Sequence, residues 1–158
     1  PLSRAPEIVG LLARRIEDAS RREGVRLDET SALVMVGRGS YHPCATSDMR
    51  LLSEVVARRV GANPDNASVG FYAMAEPKLP AILDEAASRP GVATVVVQPH
   101  LLFQGRLFDA IKRQVAEAQQ RHRSVRFVVG EYLGPDQAVA DALLRRVGQA
   151  VGFAAAAK

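Results

Sequence analysis

An arginine, two glycines and a serine follow an apolar segment in the first third of the chain. Ala32–Val36 is typical of a buried strand, and Gly37, Arg38, Gly39 and Ser40 come directly after it. In an open α/β sheet, ligands bind beyond the carboxyl ends of the strands, where glycine lets backbone N–H groups approach an anion. The spacing matches neither common phosphate-loop fingerprint. The loop therefore indicates a site for carboxylates or phosphates, or only a tight turn that happens to contain an arginine.

Other residues that can do chemistry also follow predicted strands. They are His42 after the first strand, Glu76 after the second, His100, Gln104 and Arg106 after the third, and Glu131 and Tyr132 after the fourth. Parallel strands bring these loops to one rim of the sheet. Imidazole, carboxylate and guanidinium groups together can bind an anion, coordinate a divalent metal or move protons. Hydrogen-bonding roles for the histidines, and a helix-dipole role for Glu76, are the alternatives.

Predicted strands and helices alternate along the whole chain. Apolar spacing predicts helices over residues 6–22, 45–60, 77–87, 105–121 and 134 to about 151, and strands over 32–36, 68–74, 93–97 and 125–129. The strands are nearly continuous apolar runs, which is typical of a parallel sheet covered on both faces. We therefore predict an α/β fold, a four-stranded parallel sheet with helices on both faces and the strand order 2-1-3-4.

Composition and charge limit the classes of partner. The 158 residues carry a net charge of +4 and only 5% aromatic residues. Basic pairs such as Arg14-Arg15 and Arg58-Arg59 have acidic neighbours, which indicates solvated helix faces rather than a nucleic-acid stripe. No apolar run approaches the length of a membrane span, and no signal peptide is visible. We expect neither a nucleic-acid nor a membrane partner, and a cytoplasmic location.

The first and last predicted helices have similar sequences. Residues 6–16 begin at Pro6 and residues 136–147 follow Pro135, and both segments end in Arg-Arg and an aliphatic residue. Two generic amphipathic helices could share this pattern. The more specific interpretation is that residues 1–24 are the last helix of a preceding unit. Residues 25–152 would then form the α/β domain, and residues 153–158 would be a tail. The first helix would then pack on this sheet, and the chain would be one half of a tandem protein or pair with a copy of itself.

Several segments, in order, resemble the sirohydrochlorin chelatase family of the CbiX type. Residues 32–40 resemble its first strand and Gly-[His/Arg]-Gly-Ser turn, and Pro43, Ala45 and Asp48 fall in its Asp-Pro-x-Ala-Asn-x-Asp stretch. The remaining matches are 75–80 to its Glu-Pro-Ser-Leu-Pro helix start, 95–105 to its Val-Val-x-Pro-x-Phe-Leu-Phe-x-Gly segment, and 133–136 to its last turn. The resemblance implies a class II chelatase-like unit, in which two halves face a shared cleft that holds a tetrapyrrole.

The resemblance also implies roles for individual residues. The family's usual metal-binding histidines are replaced here by Arg38 and Leu107, which is similar to the less catalytic half of the two-unit forms. The expected catalytic residues are Glu76 and His100, the metal ligands His100 and His42, and the substrate-binding residues Arg38, Gly39, Ser40, Gln104, Gly105 and Arg106. Cobalt or iron would be a weakly held substrate, and we expect no organic cofactor.

Three hypotheses remain open from the sequence. The leading one is a tetrapyrrole-handling unit that inserts cobalt or iron into sirohydrochlorin, or assists a second chelatase half supplied in cis or by a homodimer. The second is a non-catalytic partner half that binds substrate carboxylates or completes an interface. The third is a small anion-binding or phosphate-binding α/β domain that is unrelated to tetrapyrroles.

Overall fold

The computed structural model describes residues 5–156, without the side chains of residues 43, 150 and 152–156. Its helices and strands are α1 (Pro6–Arg22), β1 (Ser31–Gly37), α2 (Pro43–Val60), β2 (Ala67–Phe71), α3 (Leu79–Ala87), β3 (Thr94–Pro99), α4 (Arg106–Arg121), β4 (Arg126–Val129) and α5 (Gln137–Ala156). A short 3₁₀ helix, Pro64–Asn66, precedes β2. None of the helices within the described residues is both long and apolar enough to cross a membrane.

The four strands form one parallel sheet in the order β2-β1-β3-β4. This confirms the predicted α/β class, the parallel pairing and the order 2-1-3-4. The central strand β1 is buried along its whole length, because helices cover both of its faces. Leu33 and Met35 pack on one side with α1 and α2, whereas Ala32, Val34 and Val36 pack on the other with α3 and α4.

Helix α1 packs firmly on the first of these two faces, as predicted. It begins at Pro6, a position where proline's missing N–H costs nothing, and its last turn carries Arg21 and Arg22. Its Ile8, Leu12 and Ile16 have no exposed surface. Burial of side chains of this size contributes roughly 1.5–3 kcal/mol each to folding. Helix α1 therefore belongs to the core in this structure.

Helix α5 is attached differently. Its principal contact is with α1 rather than with the sheet, and Ala142 is fully buried. Ion pairs connect the two helices, with Asp136 at the start of α5 facing Arg14 and Arg15 of α1, and Arg145 facing Glu7. The predicted end near residue 151 is wrong, because α5 continues through residue 156. Residues 157 and 158 of the predicted tail lie outside the described residues.

The predicted second strand is three residues too long at its carboxyl end. It ends at Phe71, because the next N–H groups turn away from strand pairing. The N–H of Tyr72 donates to Gly37 O at 3.0 Å, and those of Ala73 and Met74 donate to Arg38 O at 3.1 and 3.2 Å. The loop after β2 is therefore held against the loop after β1.

Candidate ligand-binding site

Gly39 lies at the closest approach of these two loops. Its φ of +93° is in the region that favours glycine, and a Cβ at this position would lie 2.8 Å from Ala75 N. Any larger residue would have to push the loop after β2 away. The glycine predicted as a ligand-binding element therefore has a structural function: it lets the two loops close beside each other.

Ser40 shapes the entry into α2. Its Oγ accepts a hydrogen bond from His42 N at 3.1 Å, and the N–H of Ala45 donates to His42 O at 3.0 Å. His42 is the residue immediately before α2, and its exposed imidazole makes no capping hydrogen bond. The serine hydroxyl is therefore partly committed to the turn, whereas the His42 ring projects from the rim.

A depression of about 240 Å³ opens where the loops after β1, β2 and β3 meet. It is lined by Gly37, Arg38, Gly39, Ser40, Ala45, Met49, Phe71 and His100. Arg38 is exposed and has no carboxylate partner within residues 5–156. The floor is apolar, since Met49 and Phe71 are buried. The depression therefore combines an unpaired guanidinium and an imidazole with an apolar surface.

His100 begins the loop after β3 and is fixed by its backbone, whose N–H donates to Val36 O at 2.8 Å. Its Nε2 is buried and has no hydrogen-bond partner among the described residues. Desolvation lowers the pKa of His100 from its usual 6.5, against a smaller opposite effect of a backbone hydrogen bond. The ring is therefore neutral at pH 7, the form that can coordinate a metal or accept a proton.

Gln98 ties the loops after β3 and β4 together, a role that sequence reasoning missed. It is fully buried, and its Nε2 donates to Pro99 O at 2.9 Å and to Glu131 O at 2.8 Å. A Cβ on Gly130 would collide with its Oε1 at 2.0 Å. The signal was present, since Gln98 is an amide within an otherwise apolar strand. Because His100 follows two residues later, Gln98 anchors the backbone from which that imidazole projects.

Several predicted site residues lie on the rim but outside the lining of the depression. The Glu76 side chain is 73% exposed and pairs with Lys78 at 3.3 Å. Gln104, Gly105 and Arg106 are exposed on the connection into α4, and Arg106 has no carboxylate partner in the described part of the chain. Four of the predicted site residues thus line the depression: Arg38, Gly39, Ser40 and His100. The other five lie outside its lining: His42, Glu76, Gln104, Gly105 and Arg106.

The predicted metal ligands, His42 and His100, come from different loops of the rim. Among the described residues, no group of three or more histidine, cysteine, aspartate or glutamate side chains could hold a metal ion. His100 lines the depression, whereas His42 does not. The unpaired charge of Arg38 beside His100 also disfavours a cation there. A metal site formed by His42 and His100 therefore stays a prediction.

Exposed aromatic and aliphatic side chains lie on the loops at the same edge of the sheet as the depression. Tyr41 after β1 is 82% exposed, Tyr72 after β2 is 38% exposed, and Phe103 after β3 is 67% exposed, with Leu102 beside it. Each therefore comes from a different loop at the carboxyl edge of the sheet. Rings from three loops at this edge offer apolar surface in the same region as the Arg38 guanidinium, a combination that suits a large planar ligand with acidic substituents.

The CbiX family model matches residues 32–150, which contain all four strands and most of the helical layers. This chain belongs to the CbiX family. The matched region begins after α1, the helix that packs on one face of the sheet.

Related proteins show how the length of this chain compares with the length of complete family members. A sirohydrochlorin ferrochelatase of Priestia megaterium is 31% identical over 144 residues, which cover 89% of this chain and 49% of that protein. The structure of SirB from Bacillus subtilis with Fe³⁺ has a TM-score of 0.71 at 26% identity, over 90% of this chain and 53% of that one. A CbiX protein of Marinobacter aquaeolei VT8 shares the fold, with a TM-score of 0.61 at 21% identity, over 78% of this chain and 98% of that one. The chain spans about half the length of the first two.

Proposed function

We propose that this chain is one unit of a two-unit sirohydrochlorin chelatase, and that the depression beside Arg38 and His100 receives the edge of the tetrapyrrole. One observation carries this proposal: a neutral imidazole and an arginine without a carboxylate partner among the described residues line one depression, at a sheet edge where three loops also expose aromatic rings. Sirohydrochlorin is a macrocycle with peripheral carboxylates, so it presents both complementary features.

The arginines would bind and orient the substrate. A guanidinium can form two parallel charge-assisted hydrogen bonds with one carboxylate. Arg38 at the depression and Arg106 at the start of α4 are the exposed arginines of the rim that have no carboxylate partner in the described structure. Tyr72 and Phe103 would contact the faces or edges of the macrocycle, which would exclude water from its charged periphery.

Metal insertion releases two pyrrole protons as one divalent ion enters the macrocycle. A neutral His100 would accept one such proton or hold the incoming iron or cobalt by a single bond. Glu76 would be a second proton acceptor if its exposed carboxylate leaves Lys78. Because a chelatase must strip water from its metal with several ligands, the second unit would supply the ligands that this rim lacks.

A non-catalytic partner half is the second candidate, favoured by the missing three-ligand cluster. This chain would then bind the carboxylates of the substrate, while the other unit performs the insertion. Both candidates predict tetrapyrrole binding by this chain, and they differ only in whether it inserts metal.

The test is a spectroscopic titration of the purified chain with sirohydrochlorin, followed by the addition of cobalt(II) at neutral pH. We expect a saturable shift of the absorption bands on binding, and an insertion rate above the protein-free rate that His100→Ala lowers if this unit is catalytic. Binding with insertion no faster than without protein would identify the non-catalytic half. No saturable binding would contradict both, and competition by inorganic phosphate with a fluorescent anion would then identify an unrelated anion-binding domain.

A further inference from the structure

Helix α5 carries an apolar stripe that this structure leaves uncovered. We define the α5 stripe as Leu143, Leu144, Val147 and Val151, whose exposed fractions are 51%, 69%, 60% and 63%. They recur at the spacing of one helix face. Four adjacent aliphatic side chains on one helix face, all more than half exposed, indicate a surface that contacts another protein segment.

The stripe corresponds position by position to the face with which α1 covers the sheet. When the Arg-Arg pairs of the two helices are aligned, the positions pair as Leu12 with Leu143, Ala13 with Leu144, Ile16 with Val147 and Ser20 with Val151. All four positions of α1 are buried, with exposures of 3% or less. The same face is therefore used in α1 and uncovered in α5.

The contact between α1 and α5 has a reciprocal pattern. Arg14 of α1 pairs with Asp136 at the start of α5, and the equivalent Arg145 of α5 pairs with Glu7 at the start of α1. The start of each helix therefore lies beside the middle of the other, as in an antiparallel pair related by a two-fold axis. The same axis that carries α1 onto α5 would carry the sheet beneath α1 onto a second sheet beneath α5.

The residues that the family model matches agree with this arrangement of the two helices. The family match begins at residue 32, after α1, and includes α5 up to residue 150. Helix α1 therefore covers this unit from outside it, whereas α5 belongs to the unit and leaves its own apolar face open. The Priestia relative, about twice as long as the matched region, has room for a second unit.

We infer that the α5 stripe packs on the sheet of a second CbiX-type unit, in the position that α1 occupies on this one. The inference rests on the proposed two-unit protein and specifies its interface. The last helix of each unit covers the other unit's sheet, and the two helices cross at their reciprocal ion pairs. The partner surface is an apolar parallel-sheet face that lacks a covering helix of its own.

The test is a tandem protein in which residues 1–153 run directly into residues 23–158. This junction puts Leu143 and Val147 in the places of Leu12 and Ile16 relative to the second sheet. In this tandem protein, Leu143 and Val147 of the first copy are both changed to Asp. The double substitution should lower the unfolding midpoint of the second unit by roughly 10 °C or more, because it buries unpaired carboxylates. In the single chain it should shift the midpoint by less than about 2 °C, since the positions are exposed.

Gln149→Asp is the matched control, because it adds a carboxylate to the same helix at the position equivalent to Asp18, an aspartate of α1 whose side chain is about half exposed. It should leave both proteins unchanged. A tandem protein whose second unit shows no cooperative transition, or whose midpoint is insensitive to the double substitution, would overturn the inference. Failure of the proposed function would appear instead as absent sirohydrochlorin binding by the single chain, which this experiment does not measure.

Discussion

Two regions of this molecule expose large apolar side chains, and they differ in chemistry. At the rim, Tyr41, Tyr72 and Phe103 come from three loops at the sheet edge that also holds the depression lined by Arg38 and His100. On α5, the four exposed side chains are all aliphatic and follow one helix face. Rings around converging polar groups are typical of a small-molecule site, whereas an aliphatic helix stripe is typical of packing against protein.

This difference assigns ligand binding and contact with a second unit to two different surfaces. The sequence placed a second half and a tetrapyrrole site in one hypothesis, without saying which surface serves which. The rim has the charge and the neutral imidazole that ligand chemistry needs. The α5 stripe has neither, but it repeats the face with which α1 already covers a sheet. Variants at the two surfaces should therefore affect different measurements.

The largest expected effect compares equivalent leucines of the two helices. Leu12→Ala removes a fully buried side chain and should lower the free energy of unfolding by about 2–5 kcal/mol. Leu143→Ala, at the equivalent position of α5, should change it by no more than about 0.5 kcal/mol in the single chain. Urea denaturation monitored by circular dichroism measures both. Equal costs would mean that the α5 stripe is buried in solution and would end the distinction between the helices.

A smaller effect is expected from two glycines. Gly39→Ala should destabilise the chain by roughly 1–3 kcal/mol from backbone strain alone, and the collision with Ala75 N adds to this cost. Gly148→Ala in α5 meets nothing within 4 Å and should stabilise by about 0.5–1 kcal/mol. Thermal denaturation of the two variants distinguishes them by sign. A neutral Gly39→Ala would show that the loops after β1 and β2 do not close as described.

The smallest effect concerns the pH dependence of stability at the rim. Burial lowers the folded-state pKa of His100 below the usual 6.5, so from that pH downward the unfolded chain gains a proton that the folded chain does not. Stability should fall as the pH falls, by at most about 1.4 kcal/mol per pH unit from this group. His100→Gln should flatten the dependence. Identical profiles for wild type and His100→Gln would contradict a buried neutral imidazole.

The sheet could be predicted from the sequence because its cause is local. Strands such as Ala32–Val36 are continuous apolar runs, and runs of that kind fit only a parallel sheet covered on both faces. The end of β2 could not be predicted in the same way. Tyr72 and Met74 look like strand residues, but their N–H groups bond to the carbonyl groups of Gly37 and Arg38. That choice depends on a loop that is distant in sequence.

The site was predictable to a similar extent. Its polar members Arg38, Ser40 and His100 follow strands, so topology alone brings them to one edge. Its floor was not predictable, since Met49 and Phe71 resemble ordinary core residues until the depression above them is seen. The outward position of the Glu76 carboxylate depends on Lys78 two residues later, an ion pair that sequence spacing does not select.

The most direct test of these separate roles measures the affinity for sirohydrochlorin of two variants side by side. Arg38→Ala should weaken binding roughly 10-fold to 150-fold, the loss of a hydrogen bond to a charged group of about 1.5–3 kcal/mol. Leu144→Asp, in the α5 stripe, should leave the affinity of the single chain unchanged. An unchanged affinity in Arg38→Ala, or a loss in Leu144→Asp as large as the loss in Arg38→Ala, would contradict a ligand site at the rim and a protein-packing surface on α5.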